Sequence, residues 1–301
     1  MASTWNYSFE AMTGDRLTAD LAKELSEVFS SSYGVWSDSA PAPLRPGARI
    51  RMSVAKYMAD YANSNYKIIV CRNGQSTVGH AVFMEKQTTK GRVALVVQLV
   101  VSEEHRHRGI AKAMMHCIWG FSDYYAWAVV TSSPCTVEAI ESATFRRVKP
   151  SRIMQDTELF KSEILPEVPF LSTAEWIADG TKSIVNTKFW TSRSNIQEGR
   201  TDVKGRIGTL PEGYEWLAIV FRDQELDKKT GLFYHKEQFR DPIAALPAEY
   251  LVVDRRFTAS EIEKWVEDAG LKVVLRRFVR AGFAADCTEE TGKEILIIAR
   301  K

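Results

Sequence analysis

The sequence predicts an α/β protein in which helices flank a mixed central sheet and a smaller α/β accessory domain follows. Two observations carry this prediction. Segments with apolar residues at helical spacing interleave with apolar runs suited to strands, and the run VALVVQLVV, which is typical of a strand buried on both faces, leads directly into a helix. We expect one domain over residues 1–160 and the accessory domain over residues 161–301.

The first half predicts the order α-α-β-β-β-α-β-α. Apolar spacing from Asp15 to Phe29 indicates the first helix, and the segment RMSVAKYMADYAN indicates the second. The dipeptide Asn73-Gly74 is typical of a hairpin turn and separates the strands YKIIVCR and STVGHAVFME. The remaining elements are the strand VALVVQLVV, a helix from about His107 to Trp119, the strand YAWAVVTSS and the helix VEAIESATF.

The second half is less regular, and its clearest signals lie toward the end. YEWLAIVF and EYLVV are expected to be strands. The run Thr258-Ala259-Ser260-Glu261 is a capping box before the helix SEIEKWVEDA, and Gly270 should end that helix. LKVVLRRFV and EILIIAR then predict two strands. This ending resembles the terminal part of a class I methyltransferase fold, without the glycine-rich turn that a nucleotide site requires.

The composition excludes several classes of protein. With 301 residues, 45% hydrophobic and 26% charged, the chain is globular rather than disordered or fibrous. A net charge of +2 argues against a protein that coats nucleic acid. The four cysteines are scattered, so we expect neither a metal site nor a disulfide framework. No signal peptide or membrane-length apolar run is visible, which predicts a cytoplasmic location.

The stretch from Gln98 to Ala113 carries the clearest chemistry. A buried strand ends, a basic loop follows, and a helix begins without an acidic residue in its first turn. The backbone N–H groups at a helix N-terminus are unsatisfied and favour an anion. Gly109 lets a ligand approach the backbone closely. These features predict a cradle for a pyrophosphate group.

This loop resembles the acyl-CoA-binding motif Q/R-x-x-G-x-G/A of the GNAT acetyltransferase superfamily, matched here by Arg106, Gly109 and Ala111. The resemblance covers about residues 5–160 and implies an acyl-CoA-dependent N-acyltransferase with acetyl-CoA as its cosubstrate. It implies that the strand contacts the pantetheine arm and that the loop and helix hold the phosphates. The implied cosubstrate-binding residues are Leu99, Val100, Val101, Arg106, His107, Arg108, Gly109, Ile110, Ala111 and Lys112.

The usual catalytic pair of that family is not visible. Val97 stands where many members carry a glutamate and Gln98 follows it, and Ala143 aligns with a common tyrosine. The substitutes we consider are His80 as a base that titrates near neutrality, Gln98 to orient a water or a substrate, Ser132 as a hydroxyl donor and Tyr125 as an acid. Structural explanations remain open: a packed strand histidine, a helix-capping serine and a core tyrosine.

Two functional readings follow. The first is direct transfer of an acyl group to an acceptor amine, and the second is a catalytically inactive GNAT-fold protein that senses CoA or acts as a scaffold. The expected partners are acyl-CoA and an unidentified amine, with a homodimer left open; neither a membrane nor nucleic acid is expected. A polar and aromatic cluster between Lys182 and Asn195 either touches the acceptor or closes over the first domain.

Overall fold

The computed structural model describes residues 7–119, 124–144, 146–192, 203–224, 232–240, 247–255, 266–267, 272–280, 284–287 and 294–300. The chain divides into two compact units. The first comprises residues 1–230 and 236–251, and the second comprises residues 231–235 and 252–301.

The first unit contains the large sheet and the helices around it. The strands of this sheet are β1 (Tyr7–Thr13), β2 (Tyr66–Asn73), β3 (Ser76–Thr88), β4 (Gly91–Val101), β5 (Ala126–Thr131), β6 (Trp176–Ala178), β7 (Ser183–Asn186) and β8 (Tyr214–Phe221). Its helices are α1 (Ala19–Ser32), α2 (Val54–Tyr61), α3 (Ile110–Trp119), α4 (Pro134–Thr144), α5 (Pro150–Met154), α6 (Thr157–Leu159) and α7 (Val203–Ile207).

The central sheet is mixed, as predicted. Its eight strands lie in the order β1-β2-β3-β4-β5-β8-β7-β6. β4 and β5 run parallel, whereas each other neighbouring pair is antiparallel. The predicted order of helices and strands is confirmed with one addition: β1 precedes the first helix and pairs with β2 from Tyr7↔Asn73 to Thr13↔Lys67. Periodicity did not show this edge strand, because only part of it is buried.

Local capping sets the starts of the first two helices. The hydroxyl group of Thr18 accepts a hydrogen bond from the Leu21 N–H at the start of α1, and Ser53 accepts one from the Lys56 N–H at the start of α2. The pattern that began at Asp15 belongs at first to a short 3-10 turn, Gly14–Arg16. α1 therefore begins at Ala19, four residues later than the sequence predicted.

α2 and α3 cover opposite faces of the sheet. Tyr57 on α2 bonds to His80 on β3. Met114 Cε on α3 lies 3.5 Å from the position that a Cβ on Gly79 would take. Because neighbouring strand residues point to opposite faces, the two helices lie on the two sides of β3. We call the side that Tyr57 contacts the α2 face.

The sheet continues well beyond the domain boundary expected at residue 160. β8 pairs antiparallel with β5 from Ala126↔Phe221 to Thr131↔Trp216, and β7 pairs with β8. That boundary therefore lies inside the first unit. Local pattern showed that the segment YEWLAIVF is a strand but could not show which strand it pairs with.

Two smaller sheets contain the remaining strands. β9 (Leu232–Arg240) pairs with β10 (Pro247–Arg255), and β11 (Lys272–Arg280) lies between β12 (Ala284–Cys287) and β13 (Glu294–Arg300). The strands predicted from EYLVV, LKVVLRRFV and EILIIAR are confirmed. The capping-box helix predicted at residues 260–269 lies outside the described residues, apart from the helical residues 266–267. No helix in the described part of the chain is long and apolar enough to cross a membrane.

Candidate functional site: a gap between two parallel strands

β4 and β5 separate at a bulge in β4. Val82 pairs with Gln98 but the next residue, Phe83, pairs with Val96, so Val97 is the extra residue of the bulge. Parallel pairing with β5 ends at the same level, at Val96↔Val129. From Val97 to its end, β4 is paired with β3 alone. A gap therefore opens between the carboxyl ends of two parallel strands.

The backbone of β4 presents hydrogen-bonding groups to this gap. The Ser102 N–H donates to the Val78 carbonyl at 2.9 Å, so the main chain of Ser102 faces β3. Because these groups alternate along an antiparallel ladder, Leu99 and Val101 face the opposite way, into the gap. That these two residues contact the cosubstrate stays a prediction.

Val100 does not fit its predicted role. Its position in the same alternation turns its main-chain N–H and C=O groups toward β3. Its carbonyl oxygen lies 2.9 Å from the place of a Cβ on Gly79, and its side chain is buried. The main chain of Val100 is therefore not available to a cosubstrate in the gap.

The loop after β4 has an unusual backbone. His107 and Gly109 both adopt positive φ angles, 59° and 79°. Alternation of right- and left-handed residues turns successive N–H groups toward one point and forms an anion-binding concavity. A Cβ on Gly109 would meet nothing within 4 Å, so glycine suits the backbone conformation here and leaves the surface open.

The helix that follows adds favourable electrostatics. α3 begins at Ile110, three residues later than the sequence predicted, because the loop needs the left-handed residues before it. Its first turn contains no acidic residue, and its first N–H groups have no acceptor within the helix. The buried side chain of Ile110 fixes this helix end, while Ala111 and Lys112 are partly exposed.

The arginines of the loop have distinct contacts. Arg106 donates from Nε to the Val101 carbonyl at 3.2 Å and from Nη2 to the Ser32 carbonyl, so it fastens the loop to β4 and α1. Arg108 donates to the Glu104 carbonyl at 3.0 Å. Glu103 forms an ion pair with Arg49 at 3.3 Å. The positive charge of Arg106 therefore also has a structural use that the sequence motif did not reveal.

His80 and Gln98 meet in a buried cluster with Tyr57. His80 Nε2 lies 2.9 Å from Gln98 Oε1, and the Tyr57 hydroxyl group lies within 2.7 Å of both atoms. His80 is fully buried, and burial lowers its pKa to about 4. The expectation that His80 titrates near neutrality is therefore wrong: the ring is neutral at pH 7 and is a weak base. Burial raises the pKa of Tyr57 well above its usual value.

Ser132 lies at the open end of β5. Its hydroxyl group lies 3.1 Å from that of Thr191, at the level where β4 has already separated from β5. The serine that begins helix α4 is its neighbour Ser133, because the Ser133 carbonyl accepts the first hydrogen bonds of that helix. Ser132 thus keeps its place as a candidate beside the gap.

Tyr125 lies at the wrong end of the strand pair. It immediately precedes β5, and its N–H donates to the Arg92 carbonyl at 2.7 Å, near the start of β4. Its hydroxyl group donates to Asp156 at 2.7 Å and accepts a bond from Arg152. Burial raises its pKa. Since the gap opens at the carboxyl end of β4, Tyr125 is not a candidate acid for it.

A segment after β7 lies beside the open end of β5 and packs against residues that follow α1. Thr191 forms a bridge with Trp36, and the Ser37 N–H donates to the Trp190 carbonyl. The Phe189 ring packs edge-on against Tyr33 and Trp36. Of the polar and aromatic cluster noted in the sequence, the described part therefore closes over the first domain.

Sequence reasoning missed Glu215 at this place. The Trp216 indole donates to the Gly208 carbonyl, and α7 packs on α4, so Glu215 points to the opposite, α2 face. Its side chain is buried, and its charge contributes, after burial itself, to a raised pKa of Tyr33. An acidic residue near the start of an otherwise apolar strand was the available signal. Among the described residues, no group of His, Cys, Asp or Glu is arranged to hold a metal ion.

Comparison with solved structures finds several acetyltransferases. An aminoglycoside acetyltransferase from an uncultured soil metagenomic sample is 13% identical, with 37% of this chain and 66% of that chain covered and a TM-score of 0.27. The ribosomal-protein-alanine N-acetyltransferase of Brucella melitensis is 18% identical, with 38% and 70% covered and a TM-score of 0.28. The ribosomal-protein-S18-alanine N-acetyltransferase of Escherichia coli is 8% identical, with 45% and 76% covered and a TM-score of 0.33.

The match to a family is more specific. Comparison with curated proteins found no match. Residues 25–121 match the Acetyltransferase (GNAT) family, and this range contains α2, the bulge in β4, the loop with two left-handed residues and all of α3. Residues 25–121 of this chain are therefore a GNAT-family acetyltransferase domain.

Proposed function

We propose that this protein is an acyl-CoA-dependent N-acyltransferase that uses acetyl-CoA and transfers the acyl group directly to an acceptor amine. The observation that carries the proposal is the gap between β4 and β5, which leads to an open, positively charged loop and helix end. Acyl-CoA supplies an acyl group activated as a thioester. Every other requirement of the reaction falls on the residues around the gap.

The residues of the gap match the parts of such a cosubstrate. The N–H groups of Gly109, Ile110 and Ala111, with the nearby charges of Arg108 and Lys112, suit a pyrophosphate. The backbone groups of Leu99 and Val101 suit the amides of a pantetheine arm, as an added strand would pair with them. Arg106 holds the loop in place through its bonds to Val101 and Ser32.

The acceptor amine reaches the gap from the α2 face in this proposal. Tyr33, Trp36 and Phe189 form an aromatic wall there, and Ser132 and Thr191 provide hydroxyl groups beside the gap. Attack on the thioester needs an unprotonated amine held close to the carbonyl carbon, and positioning alone supplies much of the rate of such reactions. Direct transfer therefore needs no nucleophilic side chain.

Calorimetry with acetyl-CoA tests the proposal. Gly109→Asp puts a carboxylate at the anion site and a side chain at a φ of +79°. We expect it to weaken binding about 10- to 100-fold, because charge-assisted hydrogen bonds contribute about 1.5–3 kcal/mol each. The matched control is Gly74→Asp in the β2–β3 turn, which has a φ of +61° and equally open space.

The control variant should bind acetyl-CoA as the wild type does. Failure of the folded wild-type protein to bind acetyl-CoA would refute the proposal. Equal weakening in both variants would show that backbone strain, rather than charge at the cradle, explains the loss.

A second candidate function is a GNAT-fold protein that binds CoA without catalysis. Val97 occupies the β4 position where a base is common in the family, Gln98 follows it, and Ala143 on α4 carries no hydroxyl group. Tight CoA binding with no acyl transfer across a broad panel of amines would favour this candidate. Turnover with any amine would favour the enzyme.

A further inference from the structure

A buried polar triangle joins α2, β3 and β4. The Tyr57 hydroxyl oxygen lies 2.5 Å from Gln98 Oε1 and 2.7 Å from His80 Nε2. His80 Nε2 lies 2.9 Å from Gln98 Oε1. Tyr57 and His80 are fully buried and Gln98 is 5% exposed, so bulk water does not supply alternative partners. The three contacts therefore share the hydrogens that Tyr57 and His80 carry.

With Gln98 Oε1 as the acceptor, two hydrogens serve the three contacts, one on the Tyr57 hydroxyl group and one on His80 Nε2. Gln98 Oε1 carries no hydrogen and accepts from both neighbours. The single hydroxyl hydrogen of Tyr57 is donated to Oε1, so the hydrogen on His80 Nε2 is shared between the Tyr57 oxygen and Oε1. His80 is thus the neutral tautomer with hydrogen on Nε2. Its Nδ1 has no hydrogen-bond partner in the described part of the chain.

This arrangement fixes the direction of the Gln98 amide. Because Oε1 is held by two donors, the NH2 group points away from Tyr57 and His80. Its contact within the described residues is the Met52 thioether at 3.9 Å, a weak acceptor. A strong donor is thus left with a weak partner at the first residue beyond the bulge, where β4 and β5 part.

We propose that Tyr57 and His80 hold the Gln98 amide in one orientation, so that its NH2 group donates a hydrogen bond to the carbonyl oxygen of the acyl group. This bond would lie at the end of the gap next to the bulge in β4. The inference rests on the proposed function and deepens it. Gln98 is then a catalytic residue, and Tyr57 and His80 are positioning residues. An amide cannot take the amine proton, so the role differs from that of a base.

The bond changes show why a donor is needed at this oxygen. The amine nitrogen adds its electron pair to the carbonyl carbon, and the C=O pair moves onto oxygen, where Gln98 stabilises the negative charge. The pair returns when the carbon–sulfur bond breaks and its electrons leave on sulfur. The nitrogen gives up a proton to solvent, and the thiolate takes one up.

Isotope-edited infrared spectroscopy of bound acetyl-CoA, labelled with heavy carbon at its carbonyl, reads the proposed bond directly. The carbonyl stretch should move to lower frequency in the wild-type complex than in water. Gln98→Met, a variant of similar volume, should remove the shift, and Tyr57→Phe should reduce it. Tyr61→Phe is the matched control, because it removes a hydroxyl group from the same helix outside the triangle. It should leave the shift unchanged.

Nitrogen NMR of the His80 ring tests the fixed orientation of Gln98 without any ligand. The wild-type protein should show hydrogen on Nε2 and none on Nδ1 from pH 5.5 to 8, since the pKa is about 4. An Nδ1–H tautomer would overturn the fixed orientation. Binding of acetyl-CoA with an unshifted carbonyl, or with equal shifts in wild type and Gln98→Met, would overturn the donor role. Absence of acetyl-CoA binding in calorimetry would instead refute the proposed function, and the donor role with it.

Discussion

At the scale of single residues, burial changes the chemistry that the sequence suggested. From the sequence, a strand histidine close to a CoA-binding motif is predicted to be a base. The sequence does not show that Tyr57 on α2 forms a hydrogen bond with it. Tyr57 is distant in sequence from both His80 and Gln98, so no local pattern contains the cluster. Gln98 was recognised as a group that orients other molecules, and the two hydrogen bonds to its oxygen give that idea a geometry.

The buried state of His80 predicts how stability depends on pH. Its pKa falls from 6.5 to about 4 on burial, so the unfolded chain binds more protons between these values. The stabilising contribution is complete above pH 6.5 and is lost as the pH falls toward 4. Between pH 7 and 5 this loss amounts to about 2 kcal/mol, since one pKa unit corresponds to about 1.4 kcal/mol.

Urea unfolding at the two pH values measures this loss in the wild type and in His80→Gln. The variant should lose less stability on acidification by about that amount. His116 has a pKa lowered to about 3 by burial and contributes to both proteins alike, so the difference between them isolates His80. Identical losses in the two proteins would mean that His80 is not buried as a neutral ring.

At the scale of elements, the sequence predicts local structure but not the pairing of strands that are distant in the chain. The loop from Arg106 to Gly109 and the start of α3 were recognisable because their properties depend on neighbours in sequence. The partner of β5 was not, because β8 lies more than eighty residues later and any apolar strand could pair with that edge. The same reason explains the misplaced boundary at residue 160.

A pair of truncations tests the place of β8. A chain ending at residue 160 should fail to fold, because β5 is fully buried and would expose an unpaired apolar edge. A chain ending at residue 255 retains all strands of the large sheet and the pair β9–β10, and should remain folded. Circular dichroism and size-exclusion chromatography distinguish the outcomes. A monomeric, cooperatively unfolding 1–160 fragment would contradict the account.

At the scale of the whole molecule, the GNAT-family match over residues 25–121 includes the proposed cradle but not all the walls of the proposed acceptor side. Those walls come partly from beyond that range: Phe189 and Thr191 follow β7, and Glu215 lies on β8. The sequence could predict a cosubstrate site because the elements proposed to form it are contiguous. It could not predict the proposed acceptor side, because the sheet brings the residues of that side together from distant segments.

The central claim is that the gap between β4 and β5 binds acyl-CoA. A crystal structure of the protein with CoA measures this most directly. We expect the pyrophosphate to lie against the N–H groups of Gly109, Ile110 and Ala111, and the pantetheine arm to pair with the main chain of Leu99 and Val101. A structure with CoA bound elsewhere, or with β4 and β5 closed on each other beyond Val97, would contradict it.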